Sequence, residues 1–277
     1  MKTEQTPIKE KLDRIVEIFI TSQTAIRPHF ILTGPSGSGK SHILKQISEE
    51  HDIGYFEINA AQLTKEGTSG NSLSKALSPL LNSQGRPTIC FVDEFDKLFI
   101  SGNSNSELAH ETTTGVQNEF LRCLEAEKTS VFHDYGKYVE VKVDNVLFVF
   151  AGAFNGVPDI DLDTLRDFGV KTEFLGRVPL VFNLNRLSLD SLRYILDNSK
   201  LFKLYADLYE CDIQKQTKIK EEIMAVVAAN YENNTLGVRI LHALINQYFI
   251  NDGNITTKER EKVVFRKKLQ LKSKWSS

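Results

Sequence analysis

Eight residues, GPSGSGKS from Gly34 to Ser41, fit the spacing G-x-x-x-x-G-K-[ST] without a mismatch. Small residues in such a run let successive backbone N–H groups curl round phosphate oxygens. Lys40 brings a point charge, and a hydroxyl at Ser41 is the group that reaches a magnesium ion. A helix starting at Lys40 adds the positive end of its dipole. Gly34, Pro35, Ser36, Gly37, Ser38, Gly39, Lys40, Ser41 and His42 are therefore the candidate nucleotide-binding residues. A chance match in a flexible loop is the alternative, and the strand before it and the helix after it speak against that.

The second group is ICFVDEFDKL, residues 89 to 98. A buried strand ending in adjacent carboxylates places them at the carboxyl edge of a sheet, beside the glycine loop, where open α/β sheets bind ligands. Asp93 would then hold Mg²⁺, and Glu94 would orient or polarise an attacking water. An acid in that role points to hydrolysis, because transfer to a second substrate needs no activated water. The competing reading is a solvated acidic turn. The third group is EFLGRVP, residues 173 to 179, where Arg177 follows a glycine and Glu173 is the one nearby carboxylate. Arg177 is either a surface charge balanced by Glu173 or a cation reserved for a ligand or another chain.

These residues need a scaffold, and the hydrophobic pattern supplies one. Leu12, Ile15, Val16, Phe19 and Ile20 recur at helical spacing and predict a helix over 8–22. Short apolar runs at 30–32, 88–92 and 146–152 and the alternating YFEIN at 55–59 read as strands, 88–92 and 146–152 buried on both faces. SLSKALSPLL, 72–81, reads as a helix. The polar stretch 101–115 reads as a loop, and a helix carrying Val116, Phe120, Leu121 and Leu124 follows. Tyr138, Val139, Val141 and Val143 suggest a hairpin arm. From Ser188 onward only helical patterns occur, in LDSLRYILDN, KIKEEIMAVVAANY and LGVRILHALINQYF. The expected fold is α/β: a P-loop parallel sheet flanked by helices, followed by a small all-helical lid. The expected domains are 1–186, including an amino-terminal helix over 1–27, then 187–252, then a basic extension over 253–277.

Composition narrows the classes. The chain has 277 residues, 41% hydrophobic and 25% charged, with a net charge of -2. No global basic field argues for nucleic acid or an anionic membrane. The three cysteines, Cys90, Cys123 and Cys211, have no metal-binding spacing and read as reduced apolar residues. The six histidines are scattered and read as surface or packing residues. The charged first twenty residues offer neither a signal peptide nor a membrane span, so a cytoplasmic location is expected.

Taken in order, GPSGSGKS, FVDEFDKL, LFVFAGAF, FGVKTEFLGRVPLVFNLNRLS and TLGVRIL resemble the AAA+ ATPases, and specifically the ATPase core of the ClpX and HslU protein unfoldases. The resemblance covers most of residues 28 to 250. It implies an ATP- and Mg²⁺-dependent hydrolase that forms a homo-oligomeric ring, six subunits in the family, and acts on protein substrates. It implies that Arg177 reaches the nucleotide of the neighbouring subunit, and that Arg239, in LGVRIL, is a second-sensor arginine touching the phosphates from the subunit's own lid. Otherwise Arg239 is an exposed helix charge.

The chain departs from the family in four places. KEGTSGNS puts Thr68 and Ser69 where ClpX has an aromatic-aliphatic pair that grips polypeptide, and two hydroxyl residues offer little apolar surface. The segment from Val157 to Phe168 lacks the long insertion that contacts the peptidase, which puts that partnership in doubt. No zinc-binding domain or glycine-glutamine segment is recognisable before the first strand. Ala151 stands at the first-sensor position. Two other functions compete with a protein-remodelling motor. One is a DNA-associated AAA+ factor whose basic tail, 258–274, touches phosphate. The other is a nucleotide-gated, non-motor P-loop protein.

Overall fold

The computed structural model describes residues 4–64, 71–100, 107–133, 136–232 and 236–255. Thr68 and Ser69, the 101–106 part of the expected loop, and the basic extension from 258 to 274 lie outside the described residues. The chain divides into two compact units. One comprises Gln5–Pro35 and Gly39–Asn185; the other comprises Glu4, Ser36–Ser38 and the residues from Arg186 onward.

The first unit opens with α1 (Thr6–Thr21), which carries a proline in its first turn and buries Leu12, Ile15, Val16 and Phe19. Proline is tolerated there because the first N–H groups of a helix have no internal partner. Then come β1 (Phe30–Thr33), α2 (Lys40–Glu50), β2 (Gly54–Asn59), α3 (Leu73–Ala76), β3 (Thr88–Asp93), α4 (Lys97–Ile100) and α5 (Glu107–Glu125). After these follow β4 (Lys128–Phe132), β5 (Tyr138–Lys142), β6 (Val146–Gly152), α6 (Leu162–Asp167), α7 (Thr172–Arg177) and β7 (Leu180–Asn183).

Five strands form one parallel sheet in the order β2-β3-β6-β1-β7, while β4 and β5 pair antiparallel as the expected arm. β6 shows why its sequence is apolar throughout. Val146, Phe148 and Phe150 enter one core, and Leu147, Val149 and Ala151 enter the other. Alternate side chains point to opposite faces, so a strand covered on both sides has no polar position to spare.

Two expectations over this unit need correction. Residues 72–81 are not one helix: α3 lasts four residues and gives way to a 3₁₀ turn, Ser78–Asn82. Pro79 is the reason, since it lacks the N–H a continuing helix needs. Residues 107–115, read as loop, belong to α5. Threonines and a glycine disfavour helix locally, but Val116, Phe120, Cys123 and Leu124 bury one face of α5 in the core, and packing outweighs propensity. Finally, β7 and the two short helices before it were not legible as separate elements. Asp161 starts α6 by accepting a hydrogen bond from the Thr164 N–H at 2.8 Å.

The second unit is helical, with α8 (Leu189–Asp197), α9 (Lys200–Leu208), α10 (Ile213–Ala229) and α11 (Arg239–Ile250). Ser188, Ser199 and Asp212 cap α8, α9 and α10 through their side-chain oxygens. Phe202, Ile223, Val227, Leu241, Ile245 and Phe249 make its core, with Tyr205 stacked on Phe249 at 4.8 Å. α9 was not read from the sequence, and α10 starts five residues before the stretch that suggested it. No helix among the described residues is long and apolar enough to cross a membrane.

Candidate functional site

The glycine loop leaves the carboxyl end of β1 and enters α2. Gly34 has φ +140°, and any Cβ there would collide with the backbone carbonyl of Leu184. That carbonyl is fixed, because the Leu184 N–H donates to Thr33 O at 2.8 Å. Gly39 caps α2 in the left-handed region at φ +96°, with nothing near its missing side chain. Gly34 is therefore required by contact and by conformation, Gly39 by conformation alone. The Lys40 ammonium donates to Gly34 O at 2.7 Å and Pro35 O at 3.1 Å, so the lysine lies inside the curl of its own loop. Ser38 Oγ is buried without a hydrogen-bond partner among the described residues. A buried hydroxyl in that state is costly unless a polar group completes it. The enclosed cation and the open glycine fit phosphate oxygens. Ser41 is half-buried in the first turn of α2, and His42 is exposed beside it.

In the helical unit's share of the loop, Val238 N–H donates to Gly37 O at 3.1 Å. Arg239, the first residue of α11, donates from Nη1 to Ser36 Oγ at 3.1 Å.

Asp93 and Glu94 stand at the end of β3. Val92 pairs with Phe150, and Phe150 pairs with Ile31, so Asp93 lies one residue beyond the Ile31 level and Gly34 three residues beyond it. Both belong to the same edge, two strand spacings apart, or about 10 Å. Glu94 is exposed and adopts φ +55°, which a non-glycine residue holds only when its surroundings impose it. Here three constraints do so. Glu94 N–H donates to Asp93 Oδ1 at 2.9 Å, Lys97 N–H donates to Glu94 O, and Phe95 N–H donates to Ala151 O at 2.8 Å. Phe95 is wholly buried, its ring 4.9 Å from Phe150 and 5.3 Å from Phe174. Asp93 and Ser41 both offer oxygen ligands, the kind that Mg²⁺ takes alongside phosphate oxygens.

Several working residues in this region gave no usable signal in the sequence. Asp96, part of the acidic run, is not solvated: it is 1% exposed and accepts from the Phe154 N–H at 3.1 Å, fixing the turn after β6. Asn183 accepts from Thr33 Oγ1 at 2.6 Å and grips both backbone groups of Ile160, at 2.8 and 2.9 Å. His29 accepts the Phe148 N–H at Nδ1, 3.0 Å away; burial, aided by the charge of Arg27, pushes its pKa down to about 3. Ala151 is fully buried and packs in the core beside α1 and α2.

Arg177 lies elsewhere. β7 runs parallel to β1 with Leu180 level with Phe30, so Arg177, three residues earlier, lies off the amino edge of the sheet. The loop and the β3 carboxylates occupy the opposite edge. Its partner is not Glu173 but Glu125, at the end of α5: Nε donates to Glu125 Oε1 at 2.7 Å, and Nη2 is ion-paired with the same oxygen at 2.6 Å. The sequence offered Glu173 because it is close in the chain, while Glu125 is 52 residues away.

Residues 30–174, just over half of the chain, match the model of the ATPase family associated with various cellular activities (AAA). The chain is 26% identical over 263 residues to the ATP-dependent Clp protease ATP-binding subunit ClpX of Bacteroides fragilis, covering 79% of this chain and 63% of that one. The ClpX subunit of Bacteroides thetaiotaomicron matches to the same extent, and that of Porphyromonas gingivalis is 26% identical with 64% of its length covered. The chain thus spans somewhat under two thirds of the length of these relatives.

Proposed function

The chain belongs to the AAA family of ATPases, and from that premise we propose that it hydrolyses ATP with Mg²⁺ as one subunit of a six-membered ring that remodels a protein partner. Lys40 and the loop amides bind the β- and γ-phosphates. Ser41 and Asp93 hold Mg²⁺, which when bound neutralises charge on the phosphate oxygens. Glu94 orients the attacking water, and its constrained backbone keeps that carboxylate at the sheet edge. Arg177 serves the site of the next subunit, where a cation on the transferring phosphoryl group is worth about 10³ to 10⁵ in rate in other nucleotidases. Arg239 couples the lid to the phosphates. The observation that carries this reading is the separation of the two charges: Lys40 is at one edge of the sheet and Arg177 off the other.

A head-to-tail contact that closes on itself makes such a separation useful, since one subunit's amino edge then meets the next one's carboxyl edge. The functional division we adopt is a nucleotide domain to residue 186, a lid over 187–252 and a basic extension beyond, in a cytoplasmic setting. A protein partner is inferred from likeness to subunits named for a protease. No peptidase partner is proposed, because Val157–Phe168 holds a short link and α6 in place of a docking insertion.

The solution mass of Glu94→Gln, measured by light scattering with and without MgATP, tests the ring. The expected result is assembly on adding nucleotide. A monomer at high concentration under both conditions would overturn the proposal.

A further inference from the structure

α5 and α7 lie against each other with matched polar contacts at both ends. Near the start of α7, Lys171 Nζ donates to Asn118 Oδ1 at 2.8 Å; at its end, Arg177 reaches Glu125. Asn118 and Glu125, seven residues apart, are separated by about 10 Å along α5 and return to the same stripe of that helix. Gln117, 2% exposed, adds a buried clamp. Its Oε1 accepts the Lys171 N–H at 3.0 Å, and its Nε2 donates to Gly169 O at 3.4 Å. Between these ends Phe174 is fully buried against Phe95 and Phe150. The backbone of α7 is thus fixed on two sides, and what remains variable is the direction of the guanidinium.

Glu125 sets that direction. A guanidinium is a planar fork with five N–H donors in fixed positions. The Nε hydrogen bond and the Nη2 ion pair to a single carboxylate oxygen engage one side of the fork. Among the described residues no acceptor meets the Nη1 side, which is left for another group. A phosphoryl group is such an acceptor. Glu125 is exposed, like Arg177, so the pair adds little to folding stability. Its consequence is geometric. Resting on the proposed reading of Arg177 as a residue that acts on the next subunit, we infer that Glu125 is a positioning residue, which holds the Nη1 side of Arg177 toward the neighbouring nucleotide.

Subunit mixing tests this without confusing it with the reading beneath it. Arg177→Ala supplies subunits with an intact nucleotide site and no donated arginine. Glu94→Gln supplies subunits with an intact arginine and no turnover. Mixed together, the two regain hydrolysis that neither has alone. With Glu125→Gln added to the Glu94→Gln chain, the regained kcat falls about tenfold with KM for ATP unchanged, the scale on which small misplacements of a catalytic group act. Glu125→Asp recovers part of the loss, and Glu125→Gln added to the Arg177→Ala chain costs nothing further.

If mixing fails to restore hydrolysis, the trans reading falls and this inference with it. If mixing works but Glu125→Gln in the arginine-donating chain changes nothing, or lowers the rate equally from either chain, the positioning role alone is overturned.

Discussion

At the carboxyl edge of the sheet the phosphate loop is shaped by its own backbone. Gly34 and Gly39 take conformations other residues resist, and Lys40 is enclosed by carbonyls five and six positions away. At the amino edge Arg177 is held by side chains of α5, with Gln117, Asn118 and Glu125 reaching residues 52 to 54 positions later in the chain. The loop at the first edge is a device of eight consecutive residues. The second is an assembled one, presenting a cation where its own nucleotide loop does not lie. On the proposed reading, a local phosphate cradle binds by itself and an arginine on the far edge acts only through assembly.

The largest effects test that division directly. Lys40→Ala removes the charge inside the cradle and is expected to weaken ATP binding by a factor of about 100 or more, read by titration with a fluorescent nucleotide. Arg177→Ala is expected to leave that affinity unchanged and cut kcat by about 10³. If Arg177→Ala weakens binding as Lys40→Ala does and leaves kcat intact, the two edges do not have separate tasks.

Asp96 gives a smaller effect, one of stability. Its carboxylate is buried, accepts the Phe154 N–H, and has the Lys97 ammonium 3.7 Å away. Asp96→Ala removes a charged acceptor and leaves that N–H unpaired, at a cost of about 3 kcal/mol. Urea unfolding measures it. A change under about 0.5 kcal/mol is what surface substitutions give, and would mean that Asp96 does not hold the turn after β6.

The same contrast explains what could be read in advance. The glycine loop between strand and helix, the place of Asp93 and Glu94 at the end of β3 and the two-faced strands were legible, because each is a pattern within ten residues. The family resemblance rested on those patterns and is upheld by the match over residues 30–174. Asp96 was hidden inside a legible motif, since nothing in DEFDKL says which acid turns inward. Residues 107–115 were misread because threonine and glycine propensities are local, whereas the burial of Phe120 is not. Pro79 was legible in principle, as a residue that breaks the run it sits in. Glu125 and Gln117 were beyond any local rule: each finds its partner only after β4, β5, β6 and α6 have brought α7 back beside α5.

Gln117 gives the smallest effect and the sharpest view of the assembled edge. Its amide satisfies a backbone N–H and a backbone carbonyl at the entrance to α7, so a side chain of similar size without the amide leaves both unpaired. Gln117→Leu is expected to cost about 1 to 2 kcal/mol of stability, which thermal or urea unfolding resolves. Loosening the amino end of α7 also lets Arg177 drift while the phosphate loop is untouched, so kcat should fall severalfold at unchanged nucleotide affinity. Loss of affinity in this variant would mean that α7 communicates with the cradle through Phe174 and Phe95, and that the two edges are joined by the aromatic core between them.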